Sequence, residues 1–232
     1  MFIKLIKNIL FIKQCPSCSN AQEDENICFD CFSQLSFIQN ACRMCQHPFK
    51  YIVPGLDVCL KCEEEKFIYD EMICIFKYNS FLKNLIVRLK NQSDFAMLSF
   101  FGKALSQKVK DGAILIPIPL FKKRLIWRGF NQSFFLAKEI KKYKNIEIVD
   151  ALKRVKNTKT QHLKKLTERF ENIKGAFEFN EKYLSKIKGK DIVIIDDVIT
   201  SGATIFEAAK ILKKAGAGKI SVLSIARRIK EF

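Results

Sequence analysis

At 232 residues, 48% of them hydrophobic, the chain can bury a sizeable core, which excludes a disordered polymer. No uninterrupted apolar run reaches the roughly 18 residues that a membrane-spanning helix needs. A formal charge of +17 with a pI near 9.5 favours polyanionic partners such as nucleic acid or nucleotide-like substrates, although richness in Lys, Ile, Phe and Asn is also a bias that genomic base composition imposes.

The apolar opening segment is interrupted by Lys4 and Lys7 and is followed by no small-residue cleavage site. It reads as a short helix that packs on the protein or rests on a membrane surface, not as a secretory signal. Eight of the nine cysteines then fall into four Cys-x-x-Cys pairs: Cys15/Cys18, Cys28/Cys31, Cys42/Cys45 and Cys59/Cys62. A cysteine-rich stretch with little apolar mass of its own needs a staple, and tetrahedral Zn²⁺ held by four thiolates supplies one. Two structural Zn²⁺ ions are expected. Sequential pairing, Cys15, Cys18, Cys28, Cys31 and then Cys42, Cys45, Cys59, Cys62, closes the shortest loops; a cross-braced arrangement stays open. A redox role for the pairs competes, but no thioredoxin-like βαβ context surrounds them. His47 could replace a thiol, yet with eight cysteines available it reads as a loop residue. The charged stretch at 63–66 marks a boundary between a module at 1–66 and a domain at 67–232.

From there the pattern alternates. Residues 72–78 read as a strand in which Cys74 is a small buried hydrophobe. Residues 80–91 read as a helix capped by Ser80, with Phe81, Leu82, Leu85, Ile86 and Leu89 at helical spacing. A second helix starts at Ser93 or Asp94, runs to about 110 and ends at Asp111-Gly112, and 113–118 form an apolar strand. Pro117 and Pro119 then force an extended turn into a basic loop with Lys122, Lys123, Arg124 and Arg128. A basic loop after a strand and before a helix suits a polyphosphate. Trp127, the single tryptophan, is either a core anchor or a stacking surface for a base.

A helix begins near Asn131, and 146–152 read as a strand. A polar basic segment carries Arg154, Lys156, Thr160 and Gln161, candidates for a flexible lid, with His162 at the surface. Residues 176–179 suggest an edge strand. Residues 190–195 form a buried strand with Asp196 and Asp197 at its end, followed by a loop of small and hydroxyl residues, Thr200, Ser201, Gly202, Ala203 and Thr204. A helix over 203–215 and a last strand over 220–225 complete the chain. Near-continuous apolar strands alternating with helices predict an α/β fold with a parallel sheet, whose ligands bind at strand carboxyl ends. The loop amides and helix N-terminus suit a phosphate, and the paired carboxylates suit sugar hydroxyls. A ligand with a phosphate and a vicinal diol close together, such as ribose 5-phosphate, satisfies both.

Residues 192–205 resemble the PRPP-binding motif of type I phosphoribosyltransferases. The segment Ile116-Pro117-Ile118-Pro119 through Arg128-Gly129-Phe130-Asn131-Gln132, the block containing Arg154, Thr160, Gln161, Leu163, Arg169, Asn172 and Gly175-Ala176-Phe177, and the N-terminal double zinc ribbon together resemble the ComF (ComFC-like) family of competence proteins over nearly the whole chain. The resemblance implies a cytoplasmic protein of natural transformation. It would assist passage or handling of single-stranded DNA beside the DNA-uptake machinery at the inner membrane. Asp196 and Asp197 would meet the ribose of PRPP directly or through Mg²⁺. Residues 200–204 would hold its 5-phosphate, and the basic loop its pyrophosphate. No residue stands out as a catalytic base. Transfer of phosphoribose with release of pyrophosphate, a non-enzymatic DNA-handling module that senses PRPP, and salvage of a free nucleobase are the functions to be weighed.

Overall fold

The computed structural model describes residues 14–21, 27–52, 54–65, 67–92, 95–158 and 166–229. The proposed N-terminal helix, Thr160, Gln161 and His162 lie outside these. Two short helices, α1 (Phe29–Ser33) and α2 (Leu60–Glu64), belong to the cysteine-rich segment. Strand β1 (Glu71–Lys77) is followed by α3 (Ser80–Gln92), α4 (Phe95–Ser106), β2 (Ile114–Pro117), α5 (Lys122–Arg128), α6 (Gln132–Lys141) and β3 (Glu147–Ile148). After β4 (Leu152–Arg154), α7 (Leu166–Ile173), β5 (Phe177–Phe179), a 3₁₀ turn (Glu181–Tyr183) and α8 (Leu184–Ile187) come β6 (Ile192–Ile199), α9 (Ala203–Lys214) and β7 (Ile220–Arg227). Among the described residues, no helix is long and apolar enough to cross a membrane.

The five-stranded sheet runs β1-β7-β6-β2-β3, and every pairing is parallel. The chain leaves β2 towards β3 on one side and leaves β6 towards β7 on the other. The strand order therefore reverses between β2 and β6, and a crevice opens at their carboxyl ends. Register makes it concrete: Pro117 pairs with Ile195, and the Ile118 amide donates to the Ile195 carbonyl at 2.9 Å. Beyond that point β6 continues beside β7 alone, with Asp196 opposite Ser224 and Ile199 opposite Arg227.

Apolar layers cover both faces. On one, Phe76, Leu82, Leu89, Phe101, Leu115 and Leu136 join α3, α4 and α6 to the sheet, and all are fully buried. Full burial of such a side chain contributes about 1.5–3 kcal/mol. On the other, Ile192, Ile194, Ile205, Ala208 and Leu212 seat α9 on β6. Beyond the β1 edge lies the cysteine-rich segment. The Ile38 amide donates to Ile75 O at 2.8 Å and the Lys77 amide to Ser36 O at 2.7 Å, which covers an edge that would otherwise invite foreign strands.

Several elements depart from the sequence pattern. The strand expected over 146–152 is two: β3 joins the large sheet, whereas β4 pairs antiparallel with β5 in a separate two-stranded sheet. The Val149 amide still donates to Leu115 O at 2.9 Å, and the chain leaves β2 after it, so the predicted edge strand at 176–179 flanks β4 and not the main sheet. Strand β6 continues through the acidic pair to Ile199, because β7 offers ladder partners over that length. The basic loop is a helix, α5, since the segment after Pro119 has no strand to pair with and its Lys-Lys-Arg-Leu run favours helical backbone.

Where α4 crosses α6, Gly102 is tightly enclosed: a Cβ there would lie 2.2 Å from the Glu139 Cβ. Gly102→Ala should gain up to ~1 kcal/mol of helix propensity and lose about 1–3 kcal/mol to overpacking. A net fall in the thermal midpoint of a few degrees is expected by circular dichroism, and an unchanged midpoint would show the crossing to be looser.

Candidate functional site

The crevice is built from β6, α6, α3, α5 and β4. From β6 come Asp196 and Asp197, whose side chains each turn back on the strand: Asp196 Oδ1 accepts from the Asp197 amide at 2.9 Å, and Asp197 Oδ1 from the Val198 amide at 2.7 Å. From the N-terminus of α6 comes Ser133, whose hydroxyl donates to Asp196 Oδ1 at 3.2 Å. Asn131 caps that helix, its Oδ1 accepting from the Ser133 amide at 3.1 Å, while its amide group donates to Ile118 O at 3.0 Å. The cap thus ties α6 to the end of β2 and presents Ser133 to the acid. From the last turn of α3 comes Lys90, with Nζ 2.7 Å from Asp197 Oδ2.

The fourth wall is cationic. Arg128, at the end of α5, donates to Gln132 Oε1 at 2.6 Å and lies close enough to Asp197 to feel its charge. Arg154, on β4, stands over the Phe177 ring at 5.5 Å and feels both Asp196 and Arg124. Among the described residues, Arg128 Nε, Arg154 Nε and Gln132 Nε2 are buried with no hydrogen-bond partner, and Gln132 is 2% exposed. Burial lowers both arginine pKa values, yet guanidinium remains charged at any ordinary pH. Buried donors without acceptors are costly, and the oxygens of an anion would satisfy donors of this kind.

Beyond β6, Gly202 adopts φ +82°, a left-handed conformation that glycine tolerates without strain, and α9 starts at the next residue. Ser201 Oγ accepts from the Ala203 amide at 3.3 Å. The expected loop is therefore Thr200 to Gly202, and Ala203 and Thr204 form the first turn of α9. The Thr200 carbonyl accepts from Arg227, at the end of β7, whose Nε also donates to Cys45 O at 3.0 Å.

The sequence-derived candidates separate. Asp196, Asp197, residues 200–204, Arg124, Arg128 and Arg154 lie around the crevice. Arg154 belongs to a strand, not to a lid, and Lys156 donates to the Lys174 carbonyl at 2.8 Å. Lys122 and Lys123 are exposed on α5. Lys90 was not anticipated, and no local pattern marks it, because the fold alone brings α3 to β6. Ser133 and Gln132 were adjacent to the Arg-Gly-Phe-Asn segment but had no assigned role. Arg227 lies two residues beyond the strand expected over 220–225, because β7 runs on to it.

The eight paired cysteines form two groups, Cys15, Cys18, Cys28, Cys31 and Cys42, Cys45, Cys59, Cys62, and within each the sulfurs lie within 4.8 Å of one another. The pairing is sequential. Backbone amides of Cys28 and Cys59 point at Cys15 Sγ and Cys42 Sγ, each at 3.3 Å, the polarity a thiolate requires. Four thiolates at this spacing suit tetrahedral zinc, so both groups could bind it. Cys74 is buried in the core and belongs to neither group.

A family model described as a phosphoribosyl transferase domain matches residues 128–231. The chain is 30% identical to competence protein F of Haemophilus influenzae over 211 residues, covering 87% of this chain and 90% of that one. It is 30% identical to competence protein ComFC of Bacillus subtilis over 217 residues, covering 88% and 85%. It is 26% identical to DNA utilization protein YhgH of Salmonella typhimurium over 213 residues, covering 88% and 91%.

Two outcomes are expected. Metal analysis of purified protein should give two zinc ions per chain, and Cys31→Ser should give one; one zinc in the unaltered chain would mean that a cluster does not bind. Burial, reinforced by the Asp197 charge, pushes the Asp196 carboxyl up to about 7. The folded form then holds this proton more tightly than the unfolded chain, so stability is lost as pH rises from the ordinary carboxylate range towards 7. Asp196→Asn should raise the melting temperature by several degrees at pH 8 and by clearly less at pH 5. An equal gain at both pH values would contradict the shift.

Proposed function

The chain belongs to the ComF family of competence proteins, and on that premise we propose that it binds PRPP in the β2–β6 crevice and handles single-stranded DNA for the uptake machinery at the cytoplasmic side of the inner membrane. The observation that carries the PRPP reading is the juxtaposition of two carboxylates with buried, acceptor-less guanidinium and amide donors. A diol suits the first and a pyrophosphate the second.

In this reading Asp196 and Asp197 take the ribose hydroxyls. The amides and hydroxyls of Thr200, Ser201, Gly202, Ala203 and Thr204 hold the 5-phosphate at the positive end of α9. Arg124, Arg128, Arg154 and Gln132 hold the pyrophosphate, with Lys90 beside Asp197. Adjacent carboxylates offer hard oxygen donors, which fit Mg²⁺ as well as a sugar. Mg²⁺, when bound, supplies charge that offsets the negative charge on a departing pyrophosphate.

The chemistry such a site supports is displacement at the anomeric carbon. The bond to pyrophosphate oxygen breaks, a bond to an acceptor forms, and the acceptor's proton leaves to solvent or base. The guanidinium wall favours departure of the pyrophosphate, and the fixed carboxylates favour a ribose that carries positive charge. The two structural Zn²⁺ sites hold the cysteine-rich segment on the sheet edge and take no part in this step.

Calorimetry with PRPP and Mg²⁺ should give saturable heat with the unaltered protein. The double variant Asp196→Asn, Asp197→Asn should bind roughly 10- to 100-fold more weakly, the loss of one or two charged hydrogen bonds. No heat from the folded, unaltered protein would overturn the PRPP reading.

A further inference from the structure

Helix α5 has two faces with different tasks. Successive residues of an α-helix are turned by about 100°. Arg124 and Arg128 therefore share one side, and Lys122, Ile126, Lys123 and Trp127 share the opposite arc in that order. The exposures agree with this division. Arg124 and Arg128 are half-buried towards the crevice, Ile126 and Trp127 are 72% and 73% exposed, and both lysines are exposed. The choice between core anchor and stacking surface for Trp127 is thereby decided against the core.

The outer arc alternates cation, aliphatic, cation and indole. A strand of unpaired nucleotides alternates phosphates with flat, apolar base faces, and so matches this surface in both charge and shape. A duplex keeps its base faces stacked and offers the lysines its phosphates but nothing to Trp127. The rest of the molecule favours the same partner: the chain carries +17, which draws polyanions to it. Position matters as well. The outer lysines lie on the same two turns of helix as Arg128, whose guanidinium feels the Asp197 charge. A strand lying along α5 would bring a nucleotide to the mouth of the crevice.

We propose that the outer face of α5 seats single-stranded nucleic acid, with Lys122 and Lys123 against phosphates and Trp127 and Ile126 against bases. The inference rests on the DNA-handling part of the reading above and adds to it the surface and the stacking residue.

Trp127 is the only tryptophan, so its fluorescence reports on this surface alone. The full chain, loaded with zinc, is titrated with a short oligothymidylate. Saturable quenching is expected, and the affinity should weaken as salt rises. By anisotropy of a labelled oligothymidylate, Trp127→Ala should bind about 5- to 150-fold more weakly and Trp127→Phe should recover most of the loss. Lys122→Ala with Lys123→Ala should reduce the salt slope by about 1.4, two phosphate contacts at ~0.7 each. Trp127→Ala should keep the full PRPP heat, which separates loss of the surface from loss of the fold. Oligothymidylate binding that leaves Trp127 unquenched and Trp127→Ala at full affinity would overturn the surface and leave the DNA-handling reading standing. Absence of oligothymidylate binding even at low salt would overturn both, whatever the PRPP heat. Quenching by phosphatidylglycerol vesicles but not by oligothymidylate would overturn the proposal in favour of a membrane contact.

Discussion

The pairing of β2 with β6 is the contact on which the rest of the structure depends. It lasts four residue pairs, from Ile114 opposite Ile192 to Pro117 opposite Ile195. Pro119 lies just past its end, and nothing on the β2 side follows β6 further. The two strands then deliver their chains to opposite faces and opposite directions, α5 and α6 from one and α9 from the other. The gap between those paths is where peptide groups, carboxylates and guanidiniums can face one another without covering each other. A longer β2 would bury Asp196 in a ladder and close the crevice.

The cysteine-rich segment is tied to the same geometry from behind. It covers the β1 edge through Ser36, Ile38 and Arg43, whose carbonyl accepts from the Met72 amide at 2.8 Å. The Gln46 side chain accepts from the Cys74 amide at 3.1 Å, and Tyr69 donates to Met44 O at 2.9 Å. Arg227 makes the connection to the crevice, with one guanidinium bonded to both the Cys45 carbonyl and the Thr200 carbonyl. A metal-ligand backbone and the loop before α9 therefore share one rigid fork. The second cysteine cluster is thus more than a staple for its own segment: it helps fix the position of the loop that starts α9.

The parallel α/β class and the Ile192–Ile199 region were legible in the sequence because buried strands, an acidic pair and a glycine before an apolar-periodic helix are local signals. The cysteine pairing was legible because short loops leave few alternatives. Where sequence reasoning went astray, the deciding interaction was distant. β6 extends past Ile195 only because β7 is there to pair with Asp196 to Ile199. The run over 146–152 divides because Leu152 to Arg154 find Phe177 to Phe179 rather than β2. Lys90 reaches Asp197 from a residue more than a hundred positions away, through the packing of α3 on the sheet. Charge count alone could not separate Lys122 and Lys123 from Arg124 and Arg128; the helical turn of α5 does so.

The two carboxylates are not equivalent, and the difference bears on what can bind. Asp197 is 8% exposed and has an ammonium group at 2.7 Å, so its charge is met within the protein. Asp196 accepts a hydroxyl from Ser133 and an amide from its neighbour and feels the Lys90 charge, but burial and Asp197 oppose its ionisation. Environments that separate two adjacent acids in this way divide their roles. A phosphate placed at Asp196 would add repulsion to an already disfavoured charge. A sugar hydroxyl would instead donate to it, compensating the ionised form with a hydrogen bond and no added charge. On the cationic side the balance is reversed: Arg128 Nε, Arg154 Nε and Gln132 Nε2 are buried donors without acceptors. A ligand that satisfies both walls carries a diol and a polyphosphate close together, with the diol towards the β6 carboxylates and the polyphosphate towards the guanidiniums. The fold bears the cost of holding these unmet groups in place, and that cost is what gives the crevice its direction.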